Sequence, residues 1–109
     1  MNENVFLTFD IDWAPDDIII NIAEQLVEAK IKSTWFVTHD TPILNFFRSH
    51  QNLFSLGIHP NFLPGSSQGS NVEEIISECL SYAPDAWCMR THALVQSSPL
   101  LHEIFLKFP

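Results

Sequence analysis

Basic residues are scarce in this chain. Five Lys and Arg stand against 13 Asp and Glu in 109 residues, which leaves a formal net charge of −8 with the histidines neutral. A nucleic-acid surface needs Lys and Arg clustered on one face, and these five are scattered, so a nucleic-acid partner is excluded. Cysteine is scarcer still. Cys79 and Cys88 lie outside any CxxC spacing, which argues against a disulfide framework or a cysteine zinc site and reads both as small buried apolar residues. No apolar run approaches the ~18 residues that span a bilayer, and Met1-Asn2-Glu3-Asn4 lacks the basic start of a secretory signal. The expectation is a cytoplasmic protein with no membrane partner.

What is present suits a folded chain. At 46% apolar and 17% charged residues the composition is too apolar for a disordered acidic tail. No repeat or linker divides the sequence, so residues 1–109 read as a single domain.

Hydrophobic periodicity predicts strand and helix in turn. Val5-Phe-Leu-Thr-Phe9 reads as a buried strand ending in Asp10-Ile-Asp12. Pro15 and the acidic pair Asp16-Asp17 then open a helix with an Ile18, Ile19, Ile22, Leu26, Val27 stripe. Ser33 to Thr38 is the second strand, ending at His39-Asp40, and Thr41-Pro42 opens a helix that turns Ile43, Leu44 and Phe47 to the core. Leu53 to Ile58 is the third strand, ending in His59-Pro60-Asn61. After the loop from Pro64 to Ser70, Ser70-Asn-Val-Glu73 has the pattern of a capping box, leading into a helix with Val72, Ile75, Ile76, Cys79 and Leu80. Ala86 to Met89 is a fourth short strand, ending in Arg90-Thr-His92, and Ser98-Pro99 starts a last helix that runs to Pro109.

This alternation implies an α/β fold with a parallel sheet, either open or part of a (β/α) barrel. In both, ligands bind at the carboxyl ends of the strands. Those ends carry Asp10, Asp12, His39, Asp40, His59, Arg90 and His92, whereas His50 and His102 fall on predicted helices and read as surface residues.

Two aspartates one residue apart can divide labour, one binding a cation and the other staying free as a base. Asp12, His59 and His92 would form a one-carboxylate, two-histidine site with open positions, suited to zinc or another first-row divalent ion. Such an ion activates water and polarises a carbonyl, which is equipment for hydrolysis. Taken singly these residues have plainer readings: a turn or cap for Asp-x-Asp, a hydrogen-bonded structural residue for a strand-end His, and an ion-pair partner for Arg90. Their joint occurrence at successive strand ends favours a site.

The motifs Thr8-Phe9-Asp10-Ile11-Asp12, Gly57-Ile58-His59-Pro60-Asn61 and Arg90-Thr91-His92 resemble those of the polysaccharide deacetylases with a NodB-homology domain, carbohydrate esterase family four. The resemblance runs from about Val5 to Leu101. It implies about half of a distorted (β/α) barrel, with Asp10 as catalytic base, Asp12 and His59 as metal ligands, and Arg90 orienting Asp10. The implied reaction is removal of an N- or O-acetyl group from a sugar, with a carbohydrate as partner. Trp13, Asn61 and Phe62 would then line the substrate groove.

Two positions depart from the pattern. Leu63 stands where the family has a second histidine, so His92 or His39 must supply the third protein ligand. The family's later motifs, including a general-acid histidine, have no counterpart after Pro109. A first half-domain of this kind implies self-association through open barrel edges, or a non-catalytic role.

Asp10-Ile-Asp12 also resembles the opening of haloacid-dehalogenase-type phosphatases, with Thr38 as the phosphate-binding hydroxyl, and a receiver-type phosphoacceptor would fit the length. Both need a later lysine, and none lies between Lys32 and Lys107.

Overall fold

The computed structural model describes residues 5–108, so the reading of Met1 to Asn4 and the place of Pro109 lie outside it. The described elements are β1 (Thr8–Asp10), α1 (Asp16–Ala29), β2 (Ser33–Val37), α2 (Ile43–Ser49), β3 (Phe54–Ile58), α3 (Val72–Tyr82), β4 (Cys88–Met89) and α4 (Ser98–Lys107), with a 3-10 turn at His92–Leu94. No described helix is long and apolar enough to cross a membrane.

All strand pairs are parallel and the order is β1-β2-β3-β4. Right-handed crossovers without a reversal of order put successive helices on one face, as in a (β/α) barrel. A doubly wound sheet reverses at a switch point, and the receiver-type order begins 2-1-3. The unreversed order therefore decides between the open sheet and the barrel-type winding, in favour of the second.

The register aligns two chemically different faces. Phe9 pairs with Trp35, and Trp35 with Leu56, on the face toward the helices. There Phe9 stacks on Trp35 at 4.3 Å and Trp35 on Phe47 of α2 at 4.7 Å, with Ile19, Ala23, Leu44, Ile76 and Cys79 completing the core. The opposite face carries Thr8, Thr34 and Ser55 in one row and Asp10, Phe36, Gly57 and Cys88 in the next. Thr34 and Ser55 share a hydroxyl–hydroxyl bond of 2.8 Å there, and an open groove of 540 Å³ runs over this side of the sheet.

That second face explains why β1 is not the buried run expected from Val5. Its strand begins at Thr8, and Val5 and Phe6 are 88% exposed, because β1 is an edge strand whose second face is open. The stripe of α1 is also rotated: Ile19, Ala23 and Leu26 are buried, and Ile18 and Ile22 are exposed. Ile18, Ile19 and Ile20 are consecutive, so periodicity alone left the phase open by one position.

The cap of α3 falls one residue later than expected. Asn71 Oδ1 accepts from Glu74 N at 2.9 Å, and Glu74 Oε2 accepts from Ser70 N and Oγ at 2.9 and 2.8 Å. These bonds from Ser70 hold the Glu74 carboxyl below its ordinary range.

His50 is not a free surface residue. Half-buried at the end of α2, it bonds through Nδ1 to the Phe46 carbonyl at 3.0 Å and packs on the Phe46 ring. His102 is exposed, as read. Cys79 is buried, but Cys88, on the open face, is only half-buried. Burial pushes both thiols up, away from thiolate reactivity.

Candidate functional site

Both turns that carry charged residues at the rim depart from ordinary backbone. Asp12 and Trp13 have φ of 44° and 59°, and Ala93 and Leu94, just after His92, have 55° and 53°. Each non-glycine residue in this left-handed region costs about 1–3 kcal/mol, so the surroundings must hold it there. Ile11 N bonds to the Phe36 carbonyl at 3.2 Å and Ala14 N closes the turn on the Ile11 carbonyl at 2.8 Å. Trp13 N reaches Thr38 Oγ1 at 3.3 Å. On the other side His92 N bonds to the Pro60 carbonyl at 2.9 Å.

These turns bring together Asp12, His59 and His92. His59 Nε2 lies 3.1 Å from Asp12 Oδ1, His92 Nδ1 lies 3.2 Å from the same oxygen, and the two imidazole nitrogens are 3.4 Å apart. His59 is 2% exposed, while Asp12 faces solvent.

The donor chemistry fits a cation. His59 Nδ1 is 2.7 Å from the Arg90 carbonyl oxygen. A carbonyl can only accept, so Nδ1 carries the hydrogen, and in the neutral ring the Nε2 lone pair points at the group. That lone pair faces a carboxylate oxygen 3.1 Å away, a contact between two acceptors that a proton or a metal ion between them relieves. A backbone carbonyl fixing the far nitrogen of a histidine is also the usual support of a metal ligand.

His39 is elsewhere: its Nδ1 is bonded to Thr38 Oγ1 at 2.8 Å, and it is not part of the group. Leu63 is exposed at 40% and takes no part.

Beside this cluster stands a second pair. Arg90 Nη1 donates to Asp10 Oδ1 at 2.9 Å and Nη2 to Thr8 Oγ1 at 2.8 Å, while the guanidinium lies 4.3 Å over the Phe36 ring. Asp10 Oδ1 is 3.9 Å from His59 Nδ1, so the pair abuts the group. Among the described residues nothing bonds to Asp10 Oδ2.

Trp13 sets its ring edge-on to His92 at 5.3 Å and remains 37% exposed. Asn61 Oδ1 accepts from Leu63 N at 3.1 Å, shaping its own loop, and Phe62 packs half-buried against the core. Sequence reasoning assigned no role to Thr8, Gln68 and Thr91, and offered Thr38 only as a phosphate-binding hydroxyl. Thr91 is buried with no partner for its hydroxyl among the described residues. Gln68 was the one long side chain in a Pro-Gly-Ser loop, a faint signal of its burial.

A WbmS-like polysaccharide deacetylase profile matches residues 7–108. The chain belongs to that family. A crystal structure from Bordetella bronchiseptica, described as a polysaccharide deacetylase involved in O-antigen biosynthesis, superposes with a TM-score of 0.79 at 41% identity. The match covers 89% of this chain and 40% of that one, so this WbmS-like chain spans well under half of its solved relative. No significant match is found among curated proteins. Family and winding agree with the resemblance carried by the three motifs, and they leave the phosphatase and receiver readings without support.

Proposed function

We propose that the chain carries the catalytic rim of a metal-dependent hydrolase that removes acetyl groups from a sugar or polysaccharide. The observation that carries this reading is the convergence of Asp12, His59 and His92 beside the Arg90–Asp10 pair.

Asp12 Oδ1, His59 Nε2 and His92 Nδ1 would hold a divalent ion, with zinc or another first-row metal suited to two imidazoles and one carboxylate. Such an ion supplies Lewis-acid polarisation of the acetyl carbonyl and acidification of water. Asp10, with Oδ1 held by Arg90, presents Oδ2 to take the proton from the attacking water. A C–O bond forms at the acetyl carbon, the bond to the sugar nitrogen or oxygen breaks, and the proton passes to that leaving atom. Acetate and a free sugar amine or hydroxyl result. Arg90 keeps the base aimed, and Trp13 offers an exposed apolar ring beside His92 for a sugar face.

Titration with Zn²⁺ or Co²⁺, read by calorimetry and metal analysis, tests this directly. One equivalent is expected to bind, with loss of binding in Asp12→Ala and His59→Ala. Acetate release from acetylated sugars should follow metal occupancy. Failure of the wild-type protein to bind either ion would overturn the reading.

A further inference from the structure

We propose that Gln68, in the loop between β3 and α3, is a positioning residue that holds the backbone of His59 and of the Asp12 turn in register for a shared cation. The inference rests on the metal-site reading above. Its basis is a buried amide in a largely exposed loop.

Gln68 is 6% exposed, although Pro64, Gly65 and Ser67 of the same loop face solvent. Burying a carboxamide is unfavourable unless its hydrogen bonds are replaced. Backbone groups at the rim replace them. Gln68 Nε2 donates to the Thr38 carbonyl at 2.9 Å and, more loosely, to the His59 carbonyl at 3.4 Å, while Oε1 accepts from Asn61 N at 2.7 Å.

These three groups lie just past the ends of the sheet. The last rung between β2 and β3 is His59 N to the Val37 carbonyl at 3.1 Å. Beyond it, among the described residues, neither the Thr38 nor the His59 carbonyl receives a backbone N–H, and Asn61 N has no backbone acceptor. One side chain therefore stands in for the missing rungs on both strands.

The link extends to the other ligand. Thr38 is the residue whose hydroxyl accepts from Trp13 N, directly after Asp12. Gln68 thus touches the backbone of His59 and, through Thr38, the strained turn that carries Asp12. The Arg90 carbonyl fixes how the His59 ring is rotated. Gln68 fixes where that ring begins.

Zn²⁺ and Co²⁺ titrations of the full chain, run beside urea unfolding, separate this role from a purely structural one. The variants are Gln68→Ala and Gln68→Glu, the second nearly isosteric. Gln68→Glu keeps an acceptor for Asn61 N but turns a carboxylate oxygen toward two carbonyls. Loss of an outer support usually weakens metal binding by about 10–100-fold. Both variants are expected to fall in that range and to alter the Co²⁺ visible band. Arg48→Ala, whose side chain hydrogen-bonds to Asp85 and the Tyr82 carbonyl, should leave metal affinity unchanged.

Folded Gln68 variants with wild-type affinity and an unaltered Co²⁺ spectrum would overturn the proposal alone. Absence of binding by the wild type would overturn the metal-site reading and this proposal with it. A readout that needs no variant is the NMR signal of the Gln68 side-chain amide in the wild type. Zinc saturation is expected to shift it and slow its exchange, and an unmoved signal would count against the role.

Discussion

Arg48 and Arg90 each grip an aspartate, and the two grips differ in what they leave open. Arg48 takes both oxygens of Asp85, Nε to Oδ2 at 3.0 Å and Nη2 to Oδ1 at 2.8 Å, and adds the Tyr82 carbonyl at 2.8 Å. Arg90 takes only Oδ1 of Asp10 and turns its second nitrogen to Thr8. The first pair is saturated and fastens α2 to the segment after α3. Its bonds hold the Asp85 carboxyl below, and the Arg48 guanidinium above, their ordinary ranges. The second pair keeps an oxygen in reserve beside a cluster of ligand atoms. Identical chemistry serves a joint in one place and, in the reading proposed above, a reactive rim in the other.

Removing each arginine in turn separates the two roles most strongly. Arg90→Ala should lower the rate of acetate release from an acetylated sugar by a factor of about 10²–10⁴, the range a positioned general base contributes. Arg48→Ala should leave that rate near wild type when measured below its unfolding transition. Equal losses in the two variants would mean that Arg90 is no more than a second joint. Arg90→Lys should recover little, because an ammonium cannot bond Asp10 and Thr8 in one plane while lying flat on Phe36.

Next in size is a change beneath the Arg90 pair. A Cβ at Gly57 would lie 2.6 Å from the Phe36 ring and 3.0 Å from Cys88 Sγ. The ring cannot retreat freely, because the Arg90 guanidinium lies over it. Gly57→Ala is expected to destabilise by about 1–3 kcal/mol in urea unfolding, the ordinary range for overpacking. It should also slow acetate release by tilting the surface on which Arg90 rests. An unchanged urea midpoint would show that Phe36 is not the floor of this pair.

This floor was only partly visible in the amino-acid sequence. That Asp10, Asp12, His59, Arg90 and His92 gather at one rim could be read because each lies at or just past the end of a hydrophobic run, and parallel strands bring such ends together. The choice between His39 and His92 could not be read. It depends on a chain reversal after β4 and on the Thr38 hydroxyl that engages His39. Thr8 looked like one more strand residue until the register set it opposite Thr34, within reach of Arg90. The exposure of Val5 and Phe6 escaped for another reason: a strand pattern does not say whether a second layer covers it. The supports of the site are polar residues acting on distant backbone, and periodicity carries no trace of such contacts.

A smaller effect tests the saturated pair. The Arg48 and Asp85 side chains are 36% and 48% exposed, so their bond is worth no more than about 1 kcal/mol after screening. The sign follows from the lowered Asp85 carboxyl: the stabilisation is present above the ordinary Asp range of about 3.9 and is lost as pH falls below it. Urea midpoints of wild type and Asp85→Asn should therefore differ at pH 7 and converge toward pH 3. A gap that persists in acid would place the contribution in hydrogen bonds that survive protonation of Asp85.

The smallest expected effect lies next to that pair and points the other way. Tyr82 is buried in the core, and among the described residues its hydroxyl has no hydrogen-bond partner. Removing an unsatisfied buried group costs little and can stabilise, so Tyr82→Phe should change stability by less than about 1 kcal/mol at neutral pH. The variant keeps the backbone carbonyl that Arg48 uses, so the joint is untouched. Burial, followed by the neighbouring Cys79, pushes the phenol far above its ordinary value, so it stays neutral in the fold while an unfolded tyrosine ionises near pH ~10. Wild-type stability should therefore decline as pH rises past that point, and Tyr82→Phe should lose less, so that the urea midpoints separate only in alkali. A large loss in Tyr82→Phe at neutral pH would instead reveal a partner for the hydroxyl and tie the Arg48 joint to the core through Tyr82's side chain as well as its carbonyl.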